Sequence, residues 1–241
     1  MQPDRYVYPP YDAPLLDAWD HRFEAAYAIL HPCIRMPESL SWQATRRYPS
    51  AEEILVHGAK VGWMQVAGET GLGNCARINQ ALLTCTGAVT EHLSDPAAAA
   101  KLAHYFQSCS NWMPGCGDFE PLLYADFLSA FTAAGHADLI FVPEFPQLDP
   151  VQTLSVAALQ DHPETFPARG TMLAPDESFL FTVDWDSYFT LFYGSQEFVA
   201  GIARDRSLEG FLAQPATEHF WFNYSMGCAT VTLSPEQWST V

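Results

Sequence analysis

The chain is 241 residues long, 49% hydrophobic and 14% aromatic, with only 16% charged residues against a usual share of about 25%. That balance excludes a disordered chain and predicts a large buried core that needs no disulfide or metal to hold it. Twenty-eight acids against eleven bases give a net charge of −17, which excludes the phosphate-neutralising surface of a nucleic-acid binder and favours a basic partner.

No run of 18 apolar residues occurs, so no membrane-spanning helix is expected. The first residues, MQPDRYVYPPYDAP, lack a basic start followed by an apolar stretch, so a cytoplasmic, soluble protein is expected rather than a secreted one. The six cysteines (33, 75, 85, 109, 116 and 228) form no C-x-x-C pair, and idle thiols in a reducing compartment are the reading that fits.

In chain order, Pro14 follows Asp12, and Leu15, Trp19, Phe23, Tyr27 and Leu30 recur at helical spacing until Pro32 and Pro37. Ser50 and Glu53 have the spacing of a capping box, and the short helix they open is closed by Gly58 to Gly62. A helical stripe through Ile78, Leu82, Cys85 and Val89 spans residues 74–92. Asp95 and Pro96 open another helix, and 119–134 is a further amphipathic one ending at Gly135. Residues 138–145 read as a buried strand that Pro143 ends. A helix follows from Asp149 to about Gln160, then a proline-rich loop through Pro175. Residues 178–193 are strand-like, Ser195 to about Arg204 is helical, and 217–224 is an aromatic strand. A strand over 228–233 and a terminal helical turn from Pro235 complete the reading. Runs of helices followed by strands predict one α+β domain over 1–241, its helix-rich N-terminal half packed on a mainly antiparallel sheet from the C-terminal half.

Within 178–194, Asp184, Trp185, Asp186 and Ser187 interrupt two apolar runs, as the turn of a hairpin would. One long strand is the competing reading, with Asp184 and Asp186 on one face. Either way two carboxylates lie close together, the arrangement that raises one pKa and supplies acid–base pairs. In 217–224, read as a strand, Thr217, His219, Trp221 and Asn223 share a pocket-like face while Phe220, Phe222 and Tyr224 face the core. If the two segments neighbour each other, a carboxylate can orient His219. Glu144 ends a strand, where open sheets often place ligand groups. Gly68, Gly71 and Gly73 precede a helix but lack the order and the lysine of a phosphate loop. No nucleophile elbow, zinc-protease motif or calcium loop is present.

The segments LHPCIRMP (30–37), YPSAEEI (48–54), TVDWDSYFTLFYG (182–194), EGF (209–211) and TEHFW (217–221) together resemble a bacterial family of unknown function, the YwbB-like group. The resemblance implies a bacterial cytosolic protein and carries over no catalytic residue. The hairpin is also similar in style to small immunity proteins of bacterial toxin systems. Two functions follow as expectations. One is a binding protein directed at a basic protein partner, with an immunity-like protein as one form of it. The other is a small-molecule enzyme with Asp184, Asp186 and His219 as catalytic groups and Trp221, Trp185, Glu144 and Tyr188 as binding groups. A metal held by the carboxylates and His219 is a lesser variant of the second, and no cofactor is implied.

Overall fold

A computed structural model describes residues 5–223 of the chain. The chain enters through a 3-10 turn (Leu15–Asp17) and a single helical turn, α1 (Ala18–His21), in which Trp19, Asp20 and His21 all take positive φ. Then come β1 (Ala25–Leu30), β2 (Cys33–Arg35), α2 (Trp42–Thr45), α3 (Ala51–His57), β3 (Ala59–Val61), α4 (Trp63–Thr70), α5 (Cys75–Thr86), α6 (Pro96–Ser108) and β4 (Asn111–Trp112). The second half carries α7 (Tyr124–Ala133), β5 (Asp138–Pro143), β6 (Gln152–Ser155), α8 (Val156–Asp161), β7 (Gly170–Leu173), β8 (Leu180–Val183), β9 (Phe189–Gly194), α9 (Gln196–Asp205) and β10 (Gly210–Leu212).

Seven strands form one antiparallel sheet in the order β10-β1-β9-β8-β7-β5-β6, and β3-β2-β4 form a second, small one. The α+β class is therefore as the composition and element order predict. Alternation along each strand splits the large sheet into two buried faces. Ala26, Ala28, Leu30, Leu191, Tyr193, Leu180 and Val142 pack against α4, α5 and α6 through residues such as Val66, Ile78, Leu82 and Leu102. Ala25, Tyr27, Ile29, Phe192, Phe181 and Phe141 pack against α7, α8 and α9 through Phe127, Phe131, Leu159 and Val199. Among the described residues no helix is long and apolar enough to cross a membrane.

Where local chemistry decides an element, the expectation holds. Ser50 and Glu53 make the capping box of α3, Asn74 caps α5, Asp95 caps α6 with Pro96 in its first turn, and Ser195 caps α9. Other expectations are corrected. Residues 23–30 are not helical. Every residue of β1 is buried, so a strand covered on both faces shows no polar alternation, and its apolar spacing mimics a helix. The helix expected from Asp149 is a strand, β6, followed by α8, and the loop through Pro175 contains β7. The stripe over 74–92 stops at Thr86, where Gly87 takes the left-handed conformation. Residues 217–223 form turns and a 3-10 turn (Trp221–Asn223), not a strand. The predicted strand 228–233 and the terminal turn lie outside the described residues. So does Cys228, while Cys33, Cys75, Cys85, Cys109 and Cys116 are in no disulfide.

Two carboxylates on the helices' side tie these layers together. Glu209 accepts the backbone N–H groups of Trp63 (2.7 Å) and Met64 (2.9 Å), capping α4 from the strand next to it. Gly210 then brings β10 so close to β1 that a Cβ there would sit 2.1 Å from the Ala28 carbonyl oxygen. Asp126, buried on α7, accepts Lys60 Nζ at 2.6 Å and Arg206 Nη2 at 2.7 Å, joining α7 to β3 and to the turn after α9. Removing it leaves two cations without their partner. Asp126→Ala is expected to lower stability by about 2 kcal/mol, whereas Arg204→Ala, which breaks an exposed pair with Asp205, should change it by less than about 0.5 kcal/mol. Urea denaturation of the two variants measures both.

Candidate functional site

Strand register builds the candidate site. Pro143 pairs with Gly170, and Gly170 pairs with Val183. The next residue outward on each strand is therefore Glu144, Arg169 and Asp184, a row across the ends of β5, β7 and β8. Arg169 is held from three sides: Nη1 by Glu144 (3.5 Å), Nη2 by Asp118 (3.0 Å) and Nε by the Gly117 carbonyl (2.6 Å). An open groove of about 520 Å³ runs beside this row, lined by Asp118, Glu144, Asp149 and Arg169 and floored by Phe141 and Phe145.

Residues 184–187 are the turn of a β8–β9 hairpin, so the hairpin reading holds over the single strand. Ser187 closes the turn, its N–H and its hydroxyl both donating to the Asp184 carbonyl (3.1 and 3.0 Å). The loop around Gly117 packs directly on it, since the Gly117 N–H donates to the Ser187 carbonyl at 2.8 Å and a Cβ at Gly117 (φ 75°) would lie 1.7 Å from the Trp185 carbonyl oxygen. Trp185 is 56% exposed at the tip. Burial raises the Asp186 pKa and Asp184 raises it further, with Arg169 opposing both.

His219 lies against the other side of Asp184. It is 3% exposed, and Tyr8 Oη lies 2.9 Å from its Nδ1. Tyr11 stacks on the imidazole at 4.5 Å between ring centres, and its hydroxyl donates to Asp184 Oδ2 at 2.6 Å. The hydroxyls of Tyr8 and Tyr11 are both pushed up in pKa, first by burial and then by the Asp184 charge, which Tyr11 also feels through that hydrogen bond. Burial pulls His219 down to about 4 and the Asp184 charge only partly offsets it. Among the described residues His219 makes no hydrogen bond to Asp184 or Asp186; Tyr11 stands between. Over 219–222 the expected burial is interchanged: His219 and Trp221 are buried, while Phe220 and Phe222 are partly exposed, and Tyr224 lies outside the described residues. Trp221 packs edge-on against Phe211 and Phe189. Tyr188 is buried in the face packed by α4–α6.

Glu120, which the sequence reading passes over, is the most unusual ionisable group near this end. It is 1% exposed, precedes the 3-10 turn Pro121–Leu123, and accepts N–H groups from Gly115 (3.3 Å) and Leu122 (3.4 Å). Both bonds are longer than the usual distance of about 2.9 Å. Burial raises its pKa to about 7, against those two N–H groups and the Lys60 charge. It opens on a second cavity of about 290 Å³ that shares Asp118 and Ala168 with the groove. Its signal in the sequence is a single acid flanked by Phe119, Pro121, Leu122 and Leu123. Arg169 carries no local signal at all, because its partners come from the 117–118 loop and the end of β5. Among the described residues no group of three or more His, Cys, Asp or Glu is placed to hold a metal ion.

An acid raised by burial has a defined effect on stability. Glu120 ionises near 4.5 in the unfolded chain and near 7 in the folded one. Its contribution favours the fold fully below pH 4.5 and is lost as pH rises through 7. Glu120→Gln does not titrate, so wild type is expected to lose about 3 kcal/mol relative to this variant between pH 4.5 and 8. Urea midpoints of both proteins at several pH values in that window check the slope.

No curated protein and no solved structure matches the chain. A family model described as protein of unknown function (DUF2711) matches residues 11–223. That span includes the sheet, the strand-end row, Glu120 and His219, and the chain belongs to this family of unknown function.

Proposed function

We propose that the chain, acting as one domain in a bacterial cytosol of the kind the YwbB-like resemblance implies, binds a basic partner protein through the acidic strand ends. The observation that carries this reading is how the bases are used. Arg5, Arg22, Arg47, Lys60, Arg77, Arg169, Arg204 and Arg206 each pair with a carboxylate of the same chain. These are eight of the eleven bases, so few remain to offset the surplus of acid. Asp149 lines the groove beside exposed Phe145, Asp186 sits on the hairpin turn next to exposed Trp185, and neither acid makes an ion pair among the described residues. Aromatic side chains ringed by acid suit a partner that presents lysine or arginine, and the −17 net charge accelerates its approach.

A second reading, an acid–base enzyme using Asp184, Asp186 and His219, has one observation in its favour. Tyr11 links Asp184 to His219 by a hydrogen bond on one side and ring stacking on the other. In that reading one of the three groups takes a proton and Trp185 and Glu144 bind the substrate, while Trp221 and Tyr188, both buried, are left to packing.

A ten-residue lysine peptide serves as the probe. Its dissociation constant should weaken at least about 10-fold between 50 and 300 mM NaCl. The triple variant Glu144→Gln, Asp149→Asn, Asp186→Asn should weaken binding by about 10-fold at 50 mM. A charge-matched control, Glu52→Gln, Glu91→Gln, Asp161→Asn, should stay within about 2-fold. Equal effects of the two triples, or affinity that ignores salt, would sink the docking face. His219→Gln should leave peptide binding unchanged, and a large loss there shifts the balance to the second reading.

A further inference from the structure

The cavity in front of Glu120 belongs to neither reading above and can be argued separately. Three acids line it (Asp118, Glu120 and Glu164) and no lysine, arginine or histidine does. Its aromatic wall is rigid: the Tyr124 and Phe166 rings stack face to face at 3.8 Å and 8°. Tyr48 also lines it, 42% exposed as a residue, with its hydroxyl donating to the Met113 carbonyl at 3.0 Å. At about 290 Å³ the space lies at the small end of ligand pockets, which run from about 300 to 1,000 Å³.

The carboxyl group is the informative part. An ionised carboxylate can accept about four hydrogen bonds, and Glu120 receives two long ones from backbone amides. The nearest cation, Lys60, is already taken by Asp126 at 2.6 Å. A buried acid left this way, in an aromatic cavity with further acid at its rim, is short of a cationic donor. Anions are repelled by the same three carboxylates.

We propose that this cavity binds a small protonated amine carried on an apolar or aromatic scaffold, its ammonium paired with Glu120 and its apolar part against the Tyr124–Phe166 stack. An ammonium held this way also faces aromatic rings, which attract it. Binding is coupled to a proton. The carboxyl is largely protonated at pH 6, and the arriving ammonium keeps its own proton, so Glu120 releases one to solvent as the ion pair forms. The other titratable groups facing Glu120 are Lys60 from β3, Cys33 from β2, Tyr48 before α3, Tyr124 from α7 and Asp118 from its own loop. Of these, burial holds Cys33, Tyr48 and Tyr124 neutral between pH 6 and 8.

Calorimetric titration with phenethylamine, 2-phenylethanol and phenylacetate tests the assignment on the wild-type chain. The amine should bind at least about 10-fold more tightly than the neutral alcohol, and phenylacetate should not bind. Amine affinity should rise about 5- to 10-fold from pH 6 to 8, with proton release seen as a dependence of the heat on the buffer used. Glu120→Gln should lose about 10-fold or more in amine affinity and all of the proton release. Ala51→Trp, at the exposed start of α3 on the cavity wall, should block all binding without touching the carboxyl. The Glu144, Asp149, Asp186 triple variant should bind the amine as wild type does, which separates failure here from failure of the docking face. Equal binding of amine and alcohol, amine binding without proton release, or no amine binding at millimolar concentration each overturns the proposal.

Discussion

The antiparallel pairing of β1 with β9 runs over six rungs, from Ala25 opposite Gly194 to Leu30 opposite Phe189, and both strands are buried throughout. Helices cover the sheet on each side, so neither face of these strands can carry groups that need water. Of the polar side chains inside, Thr171 donates to Thr182 at 2.8 Å and His31 Nε2 lies 2.8 Å from Thr190 Oγ1. The ionisable groups of the candidate site are therefore displaced to a strand end or to a loop that folds over one. That is why Glu144, Arg169 and Asp184 form a row. They are the first residues past the rungs that two layers of helices enclose.

The same constraint governs what could be read from the amino-acid order. Helix starts are set by neighbours in the chain, and Ser50, Asn74, Asp95 and Ser195 all cap the helices their local sequence announces. The hairpin at 184–187 was legible for a similar reason, because a polar turn between two apolar runs is a local signal. β1 was not, because a strand buried on both faces has lost the alternation that identifies strands. Segment 217–223 failed in another way. Its aromatics suggest a strand, yet the sheet they cover is already complete, and His219 is fixed by Tyr8 and Tyr11, more than two hundred residues away in the chain. Glu144 and Asp184 end strands on either side of β7, and the base between them, Arg169, and the buried Glu120 become visible only once the strands are in register.

The balance of charge divides along the same line. With eleven bases for 28 acids, the chain places its cations where a structural junction needs one. Asp126 takes two of them at the meeting of α7, β3 and the turn after α9, and Arg169 holds the 117–118 loop to β5. Acids at the strand ends are then left in excess. Asp186 is one of them: burial raises its pKa first and the neighbouring Asp184 charge raises it further.

Asp184 and Glu120 show two different solutions to burying a carboxyl group at this end of the molecule. Asp184 receives a short hydrogen bond, 2.6 Å, from the Tyr11 hydroxyl. Glu120 receives two long bonds from backbone amides, and burial outweighs them, so its proton is retained up to about pH 7. One group is already compensated by its own fold. The other is left with unfilled acceptor positions facing a cavity, and that asymmetry locates the unmet demand for a donor at Glu120 rather than at the aspartates of the hairpin.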